Sequence, residues 1–257
     1  MINKKYLKLI RSRHRSKSCN FIYNTVGKRI IDSIDLLDVN INDILEIGVN
    51  DITVHKFLNE KYPSANFIKA DICESNIIKI NNYKYTKIDL ENFKFKNKFD
   101  LIYSNSFLNL SNNFENVLLN ISNSLNKNGF FIASLPDIYN GFQLRNSLYK
   151  TDLFLYKGAY QRTNPTLSIE KILDTLKKLN FDIPTINSDN ITIEYSLFEN
   201  LMKDMRETNL SYCFKDKKNS FENKIYFKIL EKFYKDDYFK GKFNLDLKFN
   251  IISAWKK

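Results

Sequence analysis

Apolar residues recur at helical spacing from Phe21 to Leu37. Phe21, Ile22, Val26, Ile30, Ile31, Ile34 and Leu37 form one face of an amphipathic helix able to cover a sheet. The pattern then shortens to a buried-strand run, Ile44-Leu45-Glu46-Ile47, which stops at Gly48. A helix carrying Ile52, Val54, Phe57 and Leu58 comes next, with Asn50 or Asp51 available as its cap and Pro63 as its stop. Further strands are expected at Asn66–Lys69, Tyr85–Ile88, Phe99–Tyr103 and Phe130–Ser134. A short helix at about Ser75–Ile80 and a longer one marked by Phe114, Val117, Leu118, Ile121 and Leu125 lie between them, and Gly129 closes the last turn. Beyond Pro136 the spacing predicts helices at Tyr139–Phe154 and Ile169–Leu179 and a strand at Ile191–Tyr195. A mainly helical stretch from Leu197 to about Tyr238 and a final strand at Leu245–Trp255 complete the pattern.

Strands alternating with helices through short loops call for right-handed crossovers and a parallel sheet, which makes the fold class doubly wound α/β. A chain of 257 residues can form one large domain. We place it at 21–257, after a basic arm at 1–20. The segments 136–180 and 197–240 are helical additions expected to close over the sheet's carboxyl edge as lid and substrate pocket.

The formal charge of +11 is concentrated at the start of the chain. Lys4, Lys5, Lys8, Arg11, Arg13, Arg15 and Lys17 crowd the arm, and no acid precedes Asp32. Such an arm could meet nucleic acid, contact an anionic membrane peripherally, or serve as a mitochondrial transit peptide. It could equally be a solvated or partner-docking helix, in which case removing residues 1–18 would leave the thermal transition nearly unchanged. The nucleic-acid reading ranks last, because no aromatic-interleaved recognition motif accompanies the charge. Cys19, Cys73 and Cys213 show no metal or disulfide spacing, and no apolar run approaches the roughly 20 residues of a transmembrane helix. The expected setting is the cytoplasm of a bacterium or the mitochondrial matrix of a eukaryote.

Gly48 stands where a doubly wound sheet places a nucleotide-type ligand, and Asp71 follows at the end of the second strand, where a carboxylate accepts ribose hydroxyls. Asp71 could instead cap a helix from Cys73 onward. Asp89 could be a turn residue, and Ser104-Asn105-Ser106 is either a polar turn or a ligand-facing edge. Arg145, beside Gln143, can pair with an acidic substrate group or form a surface salt bridge. His14 and His55, the only histidines, read as surface or packing residues. No hydrolytic triad, metal-binding His cluster or phosphate-binding loop is present.

The segments Glu46-Ile47-Gly48-Val49-Asn50, Phe99-Asp100-Leu101-Ile102-Tyr103-Ser104 and Gly129-Phe130-Phe131-Ile132 together resemble the class I S-adenosylmethionine-dependent methyltransferases. Gln143-Leu144-Arg145-Asn146-Ser147-Leu148, Ile191–Tyr195 and Leu201-Met202-Lys203-Asp204-Met205 narrow the likeness. They resemble the group holding the malonyl-acyl-carrier-protein methyltransferase of biotin synthesis and, more closely, mitochondrial complex I assembly factor 5 with its bacterial relatives. The resemblance implies a Rossmann-like, seven-stranded, mostly parallel sheet and S-adenosylmethionine as cofactor. It assigns Glu46, Gly48 and Asn50 to the first cofactor loop, Asp71 and Ile72 to the ribose, Asp89 and Leu90 to the adenine, and Ser104 to the sulfonium end. Asn105, Gln143, Arg145 and Tyr195 fall to the substrate, and the region around Gln143, Arg145, Tyr195 and Met202 to a protein partner such as a complex I subunit. The implied chemistry is methyl transfer or arginine hydroxylation. Alternatives are an acyl-carrier-protein-bound or small-molecule acceptor, or an inert scaffold favoured by Asn50, Asp51 and Ile52 in place of the family's glycine-rich loop. Asn109-Leu110 replaces a frequent His-Trp after the fourth strand.

Overall fold

A computed structural model describes residues 1–12, 20–49, 52–73, 84–164, 166–207, 213, 215, 218 and 222–257. Two helices, α1 (Lys4–Ser12) and α2 (Asn20–Asp35), precede the sheet. The first half alternates β1 (Asp43–Ile47), α3 (Thr53–Lys61), β2 (Asn66–Asp71), β3 (Lys84–Lys87), β4 (Phe99–Asn105), α4 (Phe114–Ser124) and β5 (Leu125–Pro136). The second half runs α5 (Phe142–Tyr156), α6 (Ile169–Lys178), β6 (Phe181–Tyr195), α7 (Phe198–Glu207), α8 (Lys224–Tyr238) and β7 (Phe243–Lys256). The helix expected at Ser75–Ile80 lies outside the described residues.

The strands form one seven-stranded sheet in the order β3-β2-β1-β4-β5-β7-β6, parallel except for β7, which runs against both neighbours. Its two faces carry separate cores. One collects α1, α4 and α6 through Leu7, Ile10, Val117, Ile121, Ile172 and Leu176. The other collects α2, α3, α5, α7 and α8 through Ile30, Leu58, Leu144, Leu201 and Leu230. Helix starts follow local chemistry: Asn113, Ser168 and Asn223 each accept a backbone N–H of the first turn of α4, α6 and α8.

The structure differs from the sequence expectation at two places that matter for the site. Strand β6 begins at Phe181, ten residues before the expected Ile191. As the edge strand it alternates partly exposed polar residues, which hides it from a search for apolar runs. More consequentially, the first 12 residues are not a free arm. Ile2, Leu7 and Ile10 are buried in the core of the first face, and Leu7, Ile10 and Arg11 share the inward stripe of α1. Arg11 therefore belongs to the domain's interior, Lys4 pairs with Asp89 at the half-exposed surface, and Lys5 and Lys8 remain exposed.

Candidate cofactor cleft and substrate cavity

The carboxyl ends of β1, β2 and β4 meet at one edge of the sheet, the place where doubly wound folds take ligands. Gly48 follows β1 with φ +80°, and a Cβ built there would lie 2.2 Å from the Phe107 ring. The glycine is thus required by a close approach, and the group that approaches is Phe107, itself fully buried. The Arg11 guanidinium lies over the same ring, 4.3 Å from its centroid.

Arg11 reaches from α1 to Asp71 at the end of β2. Its Nε donates to Oδ1 at 3.0 Å and its Nη2 to Oδ2, and both side chains are almost wholly inaccessible. The Val49 N–H donates to Oδ2 at 3.0 Å and the Cys73 N–H to Oδ1 at 3.2 Å. These bonds take up the acceptor positions of a carboxylate, about four in number. Asp71 is at once the local turn-maker that the Cys73 contact implies and the partner of a buried cation.

The segment after β3 also receives an ion pair from α1, here a half-exposed one. Lys4 Nζ lies 2.6 Å from Asp89 and 3.3 Å from Glu91, and Asp89 also accepts the Glu91 N–H at 3.2 Å as a turn residue. Ile72 and Leu90 line a residual cavity of about 10 Å³ that Ile2 and, from α1, Leu7 close. Such a space is near the minimum for one water molecule.

Other first-loop and strand-end candidates are held by the fold. Glu46 lies opposite Lys69 on β2, 3.3 Å from its ammonium, with both buried. Nearby His55 packs edge-on to Phe67, and burial followed by the charge of Lys69 lowers its pKa to about 4. The Ser104 hydroxyl donates to the Ile47 carbonyl at 2.7 Å and so joins β4 to β1. Asn50 lies outside the described residues. For S-adenosylmethionine the residues of this end are chemically suited, but with α1 seated their polar atoms and their space are taken by the chain itself.

Toward β5 the cleft opens into a cavity of about 240 Å³. Arg145, Met202, Met205, Arg206, Arg162 and Tyr226 line it, with Arg11, Ser106 and Asn109 at its inner wall. Asn105 supports this wall: its Nδ2 donates to the Tyr23 carbonyl at 2.8 Å, and its Oδ1 accepts from Ser134 at 2.9 Å and Ser106 at 3.2 Å. Arg145 donates through Nη2 to the Ile138 carbonyl, whereas its buried Nε has no hydrogen-bond partner. Burial lowers the Arg145 pKa, with Asp137 opposing the shift. The buried Oδ1 of Asn109, at the position where the resembled family often has His, is also without a partner. Both residues belong to the lining of one cavity.

Two of the expected substrate residues point elsewhere. Gln143 is engaged at both ends of its amide by Asp246 of β7, donating at 2.7 Å and accepting the Asp246 N–H at 3.2 Å. Tyr195 donates to Asp204 at 3.0 Å inside the second core. Both fasten helical additions to the sheet, which is a role of packing rather than of contact with the cavity. Arg162, Asn109, Phe107 and Arg11 were missed by sequence reasoning. For Arg11 a signal existed, since Leu7, Ile10 and Arg11 recur at helical spacing. For Phe107 none did, because its partner is a glycine far away in the chain.

This sheet order with its single reversed strand is the Rossmann-like fold of S-adenosylmethionine methyltransferases. A solved structure of that description, a methyltransferase from Archaeoglobus fulgidus, superposes with TM-score 0.51, 15% identity, and coverage of 91% of this chain and 94% of that one. More particularly, residues 45–133 match a methyltransferase-domain family, a match that supports S-adenosylmethionine as the cofactor. The chain is 26% identical over 214 residues to "Arginine-hydroxylase NDUFAF5, mitochondrial" of Dictyostelium discoideum, covering 74% of this chain and 49% of that one. It is 27% identical over 202 residues to the human protein of the same name, covering 76% and 57%. The chain spans about half the length of these curated relatives. Among the described residues, no helix is long and apolar enough to cross a membrane.

Proposed function

We propose that this protein is an S-adenosylmethionine-dependent enzyme of the methyltransferase type that modifies a protein partner and acts in the assembly of respiratory complex I. The observation that carries the reading is the open cavity at the carboxyl edge, walled by the helical additions α5, α7 and α8, where an acceptor group on a partner can enter. The likeness to NDUFAF5 proteins supports the choice of partner and a modified arginine as the product. Affinity purification of the tagged protein, followed by mass spectrometry of captured complex I subunits, tests it. Recovery of a subunit whose arginine modification depends on this protein is expected, and capture without modification would remove the enzymatic part.

The charge of the lining favours a second reading. Of the four arginines in the lining, Arg11 is held by Asp71 and Arg162 by Asp152 and Glu222, which leaves Arg145 and Arg206 to set the charge of the cavity. A cationic acceptor meets repulsion there, whereas a carboxylate on an apolar body meets donors and an apolar floor. An acyl-carrier-protein-bound or small-molecule acid is the acceptor this chemistry selects. Transfer of labelled methyl from S-adenosylmethionine to an acyl-thioester carboxylate, with none to arginine-bearing peptides, would establish it over the first.

A further inference from the structure

We propose that α1 is a built-in occupant of the nucleotide end of the cleft, an autoinhibitory helix that must leave before cofactor can enter. The proposal rests on the reading of this cleft as a cofactor site and adds its regulation. Arg11 consumes the carboxylate of Asp71, and Lys4 neutralises Asp89. Ile2 and Leu7 fill the space between Ile72 and Leu90 down to about 10 Å³. Phe107, over whose ring the Arg11 guanidinium lies, covers the glycine that would admit a ligand to the backbone.

These contacts span both polar anchor points of a nucleoside and the apolar slot between them. One helix face makes both polar contacts and an apolar one: Lys4, Leu7 and Arg11 lie three and four residues apart and so line up along α1, with Ile2 adding its contact from just before the helix. A helix that merely packed on the sheet would need the apolar residues alone. Here its two cations seek out the two carboxylates that a nucleoside's hydroxyls and amino group would otherwise engage. The helix and the cofactor therefore compete for the same acceptor atoms, and binding of one must be linked to release of the other.

The test uses the full chain. Hydrogen exchange across residues 4–12 is measured with and without saturating S-adenosylhomocysteine, and calorimetric titration with the same ligand compares the unaltered protein with Lys4→Ala and Arg11→Ala. Ligand should speed exchange in α1. Lys4→Ala, at an exposed pair, should bind a few-fold tighter, and Arg11→Ala about tenfold tighter or more, the worth of one charge-assisted contact. Binding seen only in the variants would support the proposal equally. Unchanged or slower exchange in α1, or affinities that stay equal or weaken, would overturn it while leaving the cofactor reading intact. Absence of binding in all three proteins would overturn both. Lys4→Ala keeps the buried pair, so the test survives if Arg11→Ala does not fold.

Discussion

The two ends of one cleft are built on opposite terms. At the ends of β1, β2 and β3 the carboxylates of Asp71 and Asp89 have met counterparts: Arg11 lies on Asp71, Lys4 on Asp89, and Phe107 fills the space above Gly48. At the ends of β4 and β5 the wall is apolar and open, with the Nε of Arg145 and the Oδ1 of Asn109 unpartnered. Buried polar atoms without partners are costly, so Arg145 and Asn109 are held in this wall at an expense to stability. Satisfied polar atoms at the other end carry the reverse lesson. There the chain has become its own ligand, and stability rather than binding is what a mutation will reveal first.

The largest effect should come from breaking the filled end. Asp71→Ala leaves the Arg11 guanidinium buried and unpaired, which typically costs about 3 to 5 kcal/mol. Urea denaturation should show the loss in full. The double variant Arg11→Met with Asp71→Leu, which removes both charges, should recover most of it. A simple ribose-binding role for Asp71 would leave the fold indifferent to Asp71→Ala, so the two readings separate on stability alone. Gly48→Ala comes next. Its positive φ disfavours any L side chain, and the new Cβ collides with Phe107, for a combined cost of about 2 to 4 kcal/mol in the same assay.

Acid should loosen the filled end before the open one. Burial, with help from Lys69, lowers the folded-state pKa of His55 to about 4. The unfolded chain then binds a proton through the window from the ordinary value of about 6.5 down to 4, while the folded chain does not. Stability from this site is complete above that window and falls by about 3 kcal/mol across it. A His55→Leu variant should show a flatter pH profile there by thermal denaturation. At the open end, burial pushes Glu222 up, but bonds from the Tyr156 hydroxyl, Lys218 and Arg162 outweigh it and hold the carboxyl below its ordinary value. Its contribution is present above the unfolded carboxylate range and is lost only as pH falls through the depressed folded value, so the lid should give way later in the same titration.

The architecture was legible because periodicity carries it. The strand runs at Ile44, Phe67, Leu101 and Phe130 are buried on both faces and read as continuous apolar segments, and each lies in a strand of the parallel sheet. The positions of Gly48 and Asp71 at strand ends were legible for the same reason. What they touch was not. A charge-rich start looks alike whether it is solvated or folded inward, and only the spacing of Leu7, Ile10 and Arg11 distinguished the two. Gln143 and Tyr195 read as substrate residues from the resemblance, yet their partners Asp246 and Asp204 show them fastening the lid. Pairing across long sequence separation is decided by tertiary packing, and a local pattern holds no record of it.

The smallest effect on stability, and the sharpest on binding, should come from Arg145. Its Nη2 bond to the Ile138 carbonyl is a single contact near the mouth of the cavity, and its Nε gives the fold nothing. Arg145→Ala should therefore shift the denaturation midpoint by no more than the equivalent of about 1 kcal/mol. It even relieves a desolvated charge, since burial already lowers the pKa of this guanidinium. If the cavity takes an acidic group, the same change removes a charge-assisted donor, worth about 1.5 to 3 kcal/mol, or at least tenfold in affinity for an acyl carboxylate. Arg145→Lys should restore little, because a point ammonium cannot present the planar, bidentate fork of a guanidinium. If the cavity takes a guanidinium instead, Arg145→Ala should improve binding by removing a like charge. The sign of that one affinity change therefore decides between the acid and the arginine as acceptor, with the fold unchanged throughout.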